Sequence, residues 1–250
     1  MGLKIILFFL KSIRLTRMAK LQVYTQLFDN KVIEVKDFIT HGEKTYKINF
    51  NKTLATPELF DNITLLIENV IKTKDLKFDR ICAASTSAIP YATNVATSLE
   101  KAICYTVDQG NDRNEKGCIK NIKIEGGMEI DDKLLLIETV VNTDFYLENI
   151  IEKIRKYGGE VVGVIVIVNI CEGEYSNLLE NKENVIPVLN LFDIFTYLEN
   201  NNMIEMFYSE KVKFYCEKET KVSIQKLVTS QLSKQEPTLS TEKENIENKV

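Results

Sequence analysis

At 250 residues, with 44% hydrophobic and 27% charged side chains, the chain has the makeup of one globular domain with length left over for flexible ends. Its net charge of −4 excludes a uniformly basic nucleic-acid-binding domain and leaves room for a local basic patch. His41 is the only histidine, which removes histidine-rich metal sites and a Ser-His-Asp triad.

The first 28 residues carry no acid: Asp29 is the first carboxylate, whereas Lys4, Lys11, Arg14, Arg17 and Lys20 are basic. The apolar run Ile5 to Leu10 is too short to cross a bilayer, so no membrane span is expected. Bases follow that run and no small-residue cleavage site is evident, a poor fit to a secretory signal. Four readings stay open: a mitochondrial presequence, a true start at Met18, an arm for an acidic or RNA surface, or a loosely docked end. The five cysteines (Cys82, Cys104, Cys118, Cys171, Cys216) lie far apart with no C-x-x-C pair. They read as reduced thiols of a cytoplasmic protein.

In chain order the pattern predicts a short helix over 21–29 and strands over 32–37 and 44–50. A helix over 56–72 follows, with Thr56 as N-cap, Pro57 at its first position and Glu58 in its first turn. A strand over 78–83, a helix over 89–101 and a short strand over 103–106 come next. The polar, glycine-containing stretch 109–127 reads as one long excursion. Leu134 to Ile137 reads as a buried parallel strand, followed by a short turn and a helix over 145–157 that Gly158-Gly159 stops. Val161 to Val168 completes a βαβ unit. An edge strand over 185–189 and helices over 191–200 and 204–215 close the domain. The polar end, with Pro237, lacks apolar periodicity and reads as disordered when the protein is alone.

The unit Lys133-Leu-Leu-Leu-Ile-Glu-Thr-Val-Val-Asn-Thr-Asp144 resembles the ribose-phosphate loop of the phosphoribosyltransferases. Together with Asp37-Phe-Ile-Thr-His-Gly42, Phe78 to Thr93 and Leu191 to Leu198, the stretch from about Leu27 to Lys218 is similar to orotate phosphoribosyltransferase, including the N-terminal half of eukaryotic UMP synthase. The resemblance implies an α/β fold of type I phosphoribosyltransferase kind, a central parallel sheet flanked by helices with a small N-terminal α+β subdomain. It divides the chain into an arm (1–20), a domain (21–218) and a tail (219–250).

An active member joins a nucleobase to PRPP with magnesium, through four elements that this sequence alters. Of the two adjacent acids expected to hold the ribose hydroxyls, Glu138 keeps the first and Thr139 replaces the second. Asn142 and Thr143 partly keep the polar turn, but Asp144 stands where a glycine is expected, and Phe145 and Tyr146 replace small residues. A carboxylate beside a phosphate costs about 4 kcal/mol per unit charge at an effective dielectric near 20, whereas Asp144 makes a good N-cap with no ligand. The pyrophosphate loop reads Ser85, Thr86, Ser87, which can still hydrogen-bond an oxyanion. In the catalytic loop Thr106 and Val107 take the place of paired bases, Asp108 and Asp112 bring the wrong sign, and Arg113 and Lys116 compensate only if the register moved. Thr40-His41-Gly42 lacks the expected lysine, and His41 reads as a turn residue.

The expectation is therefore a fold kept without catalysis, with no catalytic residue, metal or cofactor. Its leading partner is the ribosome or another RNA-containing assembly, gripped by the basic arm. The alternatives are an active orotate phosphoribosyltransferase using magnesium, or a non-catalytic nucleotide sensor. The resemblance also implies a possible homodimer.

Overall fold

A computed structural model describes residues 17–35, 46–108, 122–141, 145–170, 184–210 and 212. The arm residues Lys4, Lys11 and Arg14, the His41 turn, the Asn142–Asp144 turn, Arg113, Lys116 and the tail lie outside them.

The first helix, α1, covers 17–29, four residues longer at its start than the pattern predicts. Val23, Tyr24 and Leu27 form its buried stripe. A left-handed Lys31 (φ 53°) reverses the chain into β1 (Ile33–Val35), which pairs antiparallel with β2 (Tyr46–Ile48). The second strand stops at Ile48, short of the expected Phe50, because Asn49 accepts a hydrogen bond from the Asn51 N–H and starts a 3-10 turn over Phe50–Ala55; the expected strand residues 36–37 and 44–45 lie outside the described residues. Helix α2 (Pro57–Thr73) has proline in its first turn as expected. Its cap differs: the Thr56 hydroxyl makes no capping bond and instead donates to Asn30 Oδ1 at 3.1 Å.

The main sheet comprises β3 (Arg80–Ala83), β4 (Ala102–Asp108), β5 (Ile122–Glu125), β6 (Lys133–Val141), β7 (Glu160–Asn169) and β8 (Val185–Asn190). Its order is β5-β4-β3-β6-β7-β8, parallel throughout except for β4 against β5. Three helices connect or follow these strands: α3 (Ile89–Ser98), α4 (Phe145–Lys156) and α5 (Leu191–Asn200). The stretch expected as one excursion is corrected here, since its end returns as β5 with Glu125 opposite Tyr105. The strand expected over 185–189 does lie at the sheet edge, as β8.

Both faces of the sheet are covered, so its strands read as continuous apolar runs rather than alternating ones. Along β6, Leu135 and Ile137 join the core shared with α1, α2, α3 and α5, while Leu134 and Leu136 join the core under α4. Gly158 (φ 89°) ends α4 as expected, and the Gly159 N–H closes the turn on the Ile154 carbonyl at 3.1 Å. Gly126 (φ 99°) crosses so close to β4 that a Cβ there would lie 2.7 Å from the Ile103 carbonyl oxygen. Among the described residues, Cys82 and Cys104 are buried free thiols, and no helix is long and apolar enough to cross a membrane.

Candidate ligand-binding site

The chain leaves β3 through α3 toward β4 on one side, and leaves β6 through α4 toward β7 on the other. The C-terminal ends of β3 and β6 are thus a topological switch point, where the two connections diverge and open a crevice. Ser85, Thr86 and Ser87 follow β3, and Glu138 and Thr139 lie in the last part of β6. These residues, predicted from two separate segments, are brought together.

The turn expected directly after Ile137 starts later, because β6 continues to Val141 and pairs with β7 as far as Asn169. Glu138 is therefore a strand residue, 3% exposed, with a fixed direction. Its Oε1 accepts from the Ser85 hydroxyl at 2.6 Å, the Thr139 N–H at 2.6 Å and the Thr139 hydroxyl at 3.1 Å. Oε2 is buried with no hydrogen-bond partner. Burial pushes the Glu138 carboxyl above the usual carboxylate range, against the lowering effect of those donors. Ser87 Oγ contacts both Ser85 Oγ (3.0 Å) and Thr139 Oγ1 (2.8 Å), linking the two loops side chain to side chain. Thr86 is exposed.

In front of this cluster is a cleft of about 250 Å³ lined by Ile48, Asn49, Phe50, Asn51, Ser87, Thr139 and Val140. Its outer wall is the 3-10 turn, which sequence reasoning missed: Asn49 read as a strand residue, and only its capping role marks the strand's end. That wall is fixed through Tyr91 of α3, which packs on Phe50 and Phe60 and meets the Thr53 hydroxyl. Thr53 already donates to the Phe50 carbonyl at 2.7 Å, so the Tyr91 phenol is the donor to Thr53. Burial raises the Tyr91 hydroxyl to about 12. A larger groove of about 750 Å³, over Glu199–Met206, contains no residue of the β3 or β6 loops.

Two further departures foreseen from the sequence converge on one atom. Thr106, expected at the end of a strand and in the place of one of the paired bases, is a buried residue of β4, and its hydroxyl donates to the Ala84 carbonyl at 2.8 Å. Tyr146, in the first turn of α4, donates its phenol to the same carbonyl at 2.7 Å. The loop after β3 is thus held from two sides. Of the basic arm only Arg17 and Lys20 are described, both on α1. Partial burial lowers the Lys20 ammonium, partly offset by Asp193 of α5.

No protein-family model matches the chain. It is similar to proteins named orotate phosphoribosyltransferase: 28% identical over 192 residues to that of Sulfurisphaera tokodaii, covering 76% of this chain and 94% of the relative. The Methanocaldococcus jannaschii protein is 27% identical over 157 residues, 62% of this chain and 85% of its own length. Among solved structures, orotate phosphoribosyltransferase from Aeropyrum pernix superposes with a TM-score of 0.61 at 18% identity, covering 73% of this chain and 99% of that one. Leishmania donovani UMP synthase gives 0.66 at 20%, covering 79% of this chain and 42% of the longer enzyme. The chain is a relative of the orotate phosphoribosyltransferases.

This orotate phosphoribosyltransferase relative has the type I fold, with its mostly parallel sheet flanked by helices. No group of three or more His, Cys, Asp or Glu side chains able to bind a metal occurs among the described residues, which leave out Asp112 and Asp144. The one carboxylate of the cluster, Glu138, is buried and already accepts three hydrogen bonds.

Proposed function

We propose that this relative of the orotate phosphoribosyltransferases binds a nucleotide-like ligand at the β3–β6 crevice without transferring a phosphoribosyl group. One observation carries the reading. The only acid kept of the expected pair, Glu138, is turned into the protein and engaged by Ser85 and Thr139, and its neighbour Thr139 spends its own hydroxyl on it. Ribose hydroxyls are then left without the paired carboxylates that would orient them, and positioning is most of what a transfer of this kind asks of the protein.

The names of the relatives favour a second reading, an active enzyme making orotidine 5′-monophosphate from orotate and PRPP. Full-length protein mixed with orotate, PRPP and magnesium separates the two, with the Methanocaldococcus jannaschii relative assayed alongside. Removal of a single transition-state donor commonly costs about a hundred- to a thousandfold. The expected result is therefore orotate consumption at least a thousandfold (~10³) below the relative's. Turnover within tenfold of it overturns the non-catalytic reading.

Association with the ribosome or another RNA-containing assembly is a further part of the proposal, supported by the acid-free run of Lys4, Lys11, Arg14, Arg17 and Lys20. Co-sedimentation with ribosomes at low salt is expected, and its loss on deleting residues 1–16, which leaves α1 intact. A protein that stays in the supernatant at every salt concentration removes this partner.

A further inference from the structure

Helix α5 stops at a left-handed Asn202 (φ 55°), where the Asn202 and Met203 N–H groups turn back on the Glu199 and Leu198 carbonyls, each at 2.9 Å. The reversed chain runs on through Ile204, Glu205 and Met206. Buried Ser209 ties the two sides together: its hydroxyl meets the Glu199 carboxylate and lies 3.0 Å from the Met206 carbonyl oxygen. Between them is the groove of about 750 Å³. Its described lining has two acids, Glu199 and Glu205, and no base, beside the apolar Met203, Ile204 and Met206. Met206 is 61% exposed, so the apolar floor is in water unless something covers it.

Charge selects the cover. The N-terminal arm has a base at each end of an apolar run, Lys4 and Lys11 around Ile5–Leu10, and no acid. The tail over 219–250 carries five acids and five bases, so it gains nothing net from an acidic groove. A second copy laid groove to groove about a two-fold axis would set acid against acid. The arm also reaches. Helix α1 packs on α5, with the Tyr24 ring 5.6 Å from that of Tyr197 and Thr25 Oγ1 3.1 Å from the Tyr197 hydroxyl. Arg17, where α1 begins, stands about 12 Å back along the helix from Thr25. Lys11–Thr16, extended, spans about 20 Å, enough to carry Ile5–Leu10 from there to a groove that opens just after Tyr197.

We infer that the Glu199–Met206 groove receives this chain's own N-terminal arm, with Ile5–Leu10 against Met203, Ile204 and Met206, and Lys4 or Lys11 beside Glu205. The apolar side chains leave water together while the lysine ammonium groups stay at the wet rim. The inference does not depend on what the β3–β6 crevice binds.

Cross-linking of dilute, nuclease-treated full-length protein tests it. A carbodiimide joins a lysine amine to a carboxylate in contact with it, with loss of water. Mass spectrometry of the monomer fraction is expected to find Lys4 or Lys11 joined to Glu199 or Glu205. A second readout is tryptic cleavage after Lys11 and Arg14, which follows the fraction of arm off the groove. Glu205→Lys/Met206→Ser reverses one charge and removes one apolar contact, both at exposed positions. Cleavage of this variant should be at least tenfold (~10×) faster than in the parent, with the melting temperature unchanged. Arm-to-groove links found only between chains assign the groove to a second copy and overturn the inference. So does the absence of such links, or cleavage equally fast in parent and variant. The variant keeps Lys4, Lys11 and Arg14, so its co-sedimentation with ribosomes is read separately.

Discussion

Replacing Tyr91 by alanine is expected to destabilise the protein by about 3–5 kcal/mol, the range for deleting a fully buried aromatic side chain. Tyr91 is 1% exposed and joins three parts of the molecule. Its ring lies edge-on to Phe50 (6.0 Å, 76°) and tilted on Phe60 of α2 (5.0 Å), and its phenol donates to Thr53. Truncation leaves a cavity where the N-terminal subdomain meets α3, and a buried threonine oxygen loses its donor. For a chain of this size the melting temperature should drop by on the order of 10 °C, read by differential scanning calorimetry. Tyr91→Phe keeps the packing and removes the hydrogen bond alone, so it should cost about 0.5–1.5 kcal/mol. The two variants separate packing from hydrogen bonding. The alanine variant should also loosen the Asn49–Asn51 wall, because Phe50 between them rests on the Tyr91 ring, which the phenylalanine variant keeps. A Tyr91→Ala protein that melts within 2 °C (~1 kcal/mol or less) of the parent would show that this contact does not hold the subdomain in place.

Glu138→Gln is expected to change how stability depends on pH. Burial raises the Glu138 carboxyl in the folded protein above its ordinary value of 4.5, while the unfolded chain keeps that value. The folded state then binds the proton more tightly than the unfolded one. The stability linked to this group is fully present below the unfolded value and is lost as pH rises through the raised folded value. Above that window the parent holds a buried carboxylate whose Oε2 has no partner, at a cost of about 1–3 kcal/mol. Glutamine carries no charge and cannot titrate. Its amide nitrogen would itself lack a partner, which shifts the variant by a similar amount at every pH. The slope is therefore the diagnostic quantity, not the offset. Urea denaturation from about pH 4 to pH 8 should show the parent losing stability relative to the variant by about 1–3 kcal/mol. Parallel curves would mean that Glu138 is charged at no cost, and that a cation or solvent reaches Oε2.

The arrangement of elements was legible in the sequence where periodicity, caps and stops agreed. Helix α5 was read with its observed ends because the apolar positions of Leu191–Asn200 recur at helical spacing, and Asn190 caps it in the fold. The start of α2 was marked by Pro57, although the Thr56 hydroxyl went to Asn30, a partner 26 residues away that no local rule foresees. β6 was read too short because polar Glu138 and Thr139 look like a turn. They stay in the strand because Val140 and Val141 continue to pair with β7. β5 was missed for the opposite reason. Four residues of mixed character form a strand only because β4 lies beside them.

The site was legible as a set of residues and not as an arrangement. Ser85, Ser87, Glu138 and Thr139 were singled out from two segments, and the parallel pairing of β3 with β6 puts those segments side by side. That Glu138 faces inward was not readable, since the same residue type serves a ligand or a core network depending on strand direction. Asn49 and Asn51 were passed over, because a wall of the cleft is defined only by what stands across from it. Thr106 and Tyr146 looked like losses from a catalytic loop and a phosphate turn. Folded, they gain a shared task, holding the Ala84 carbonyl.

The sequence by itself determined the kinship, the βαβ order and the absence of the expected second acid, because these are matters of residue identity and local periodicity. The tertiary structure alone decided which hydroxyls meet Glu138 and how the 3-10 turn closes on Ser87 and Thr139. Which partners a side chain meets depends on how the strands pair, and these stand 53 (Ser85 and Glu138) and 52 (Ser87 and Thr139) positions apart in the chain.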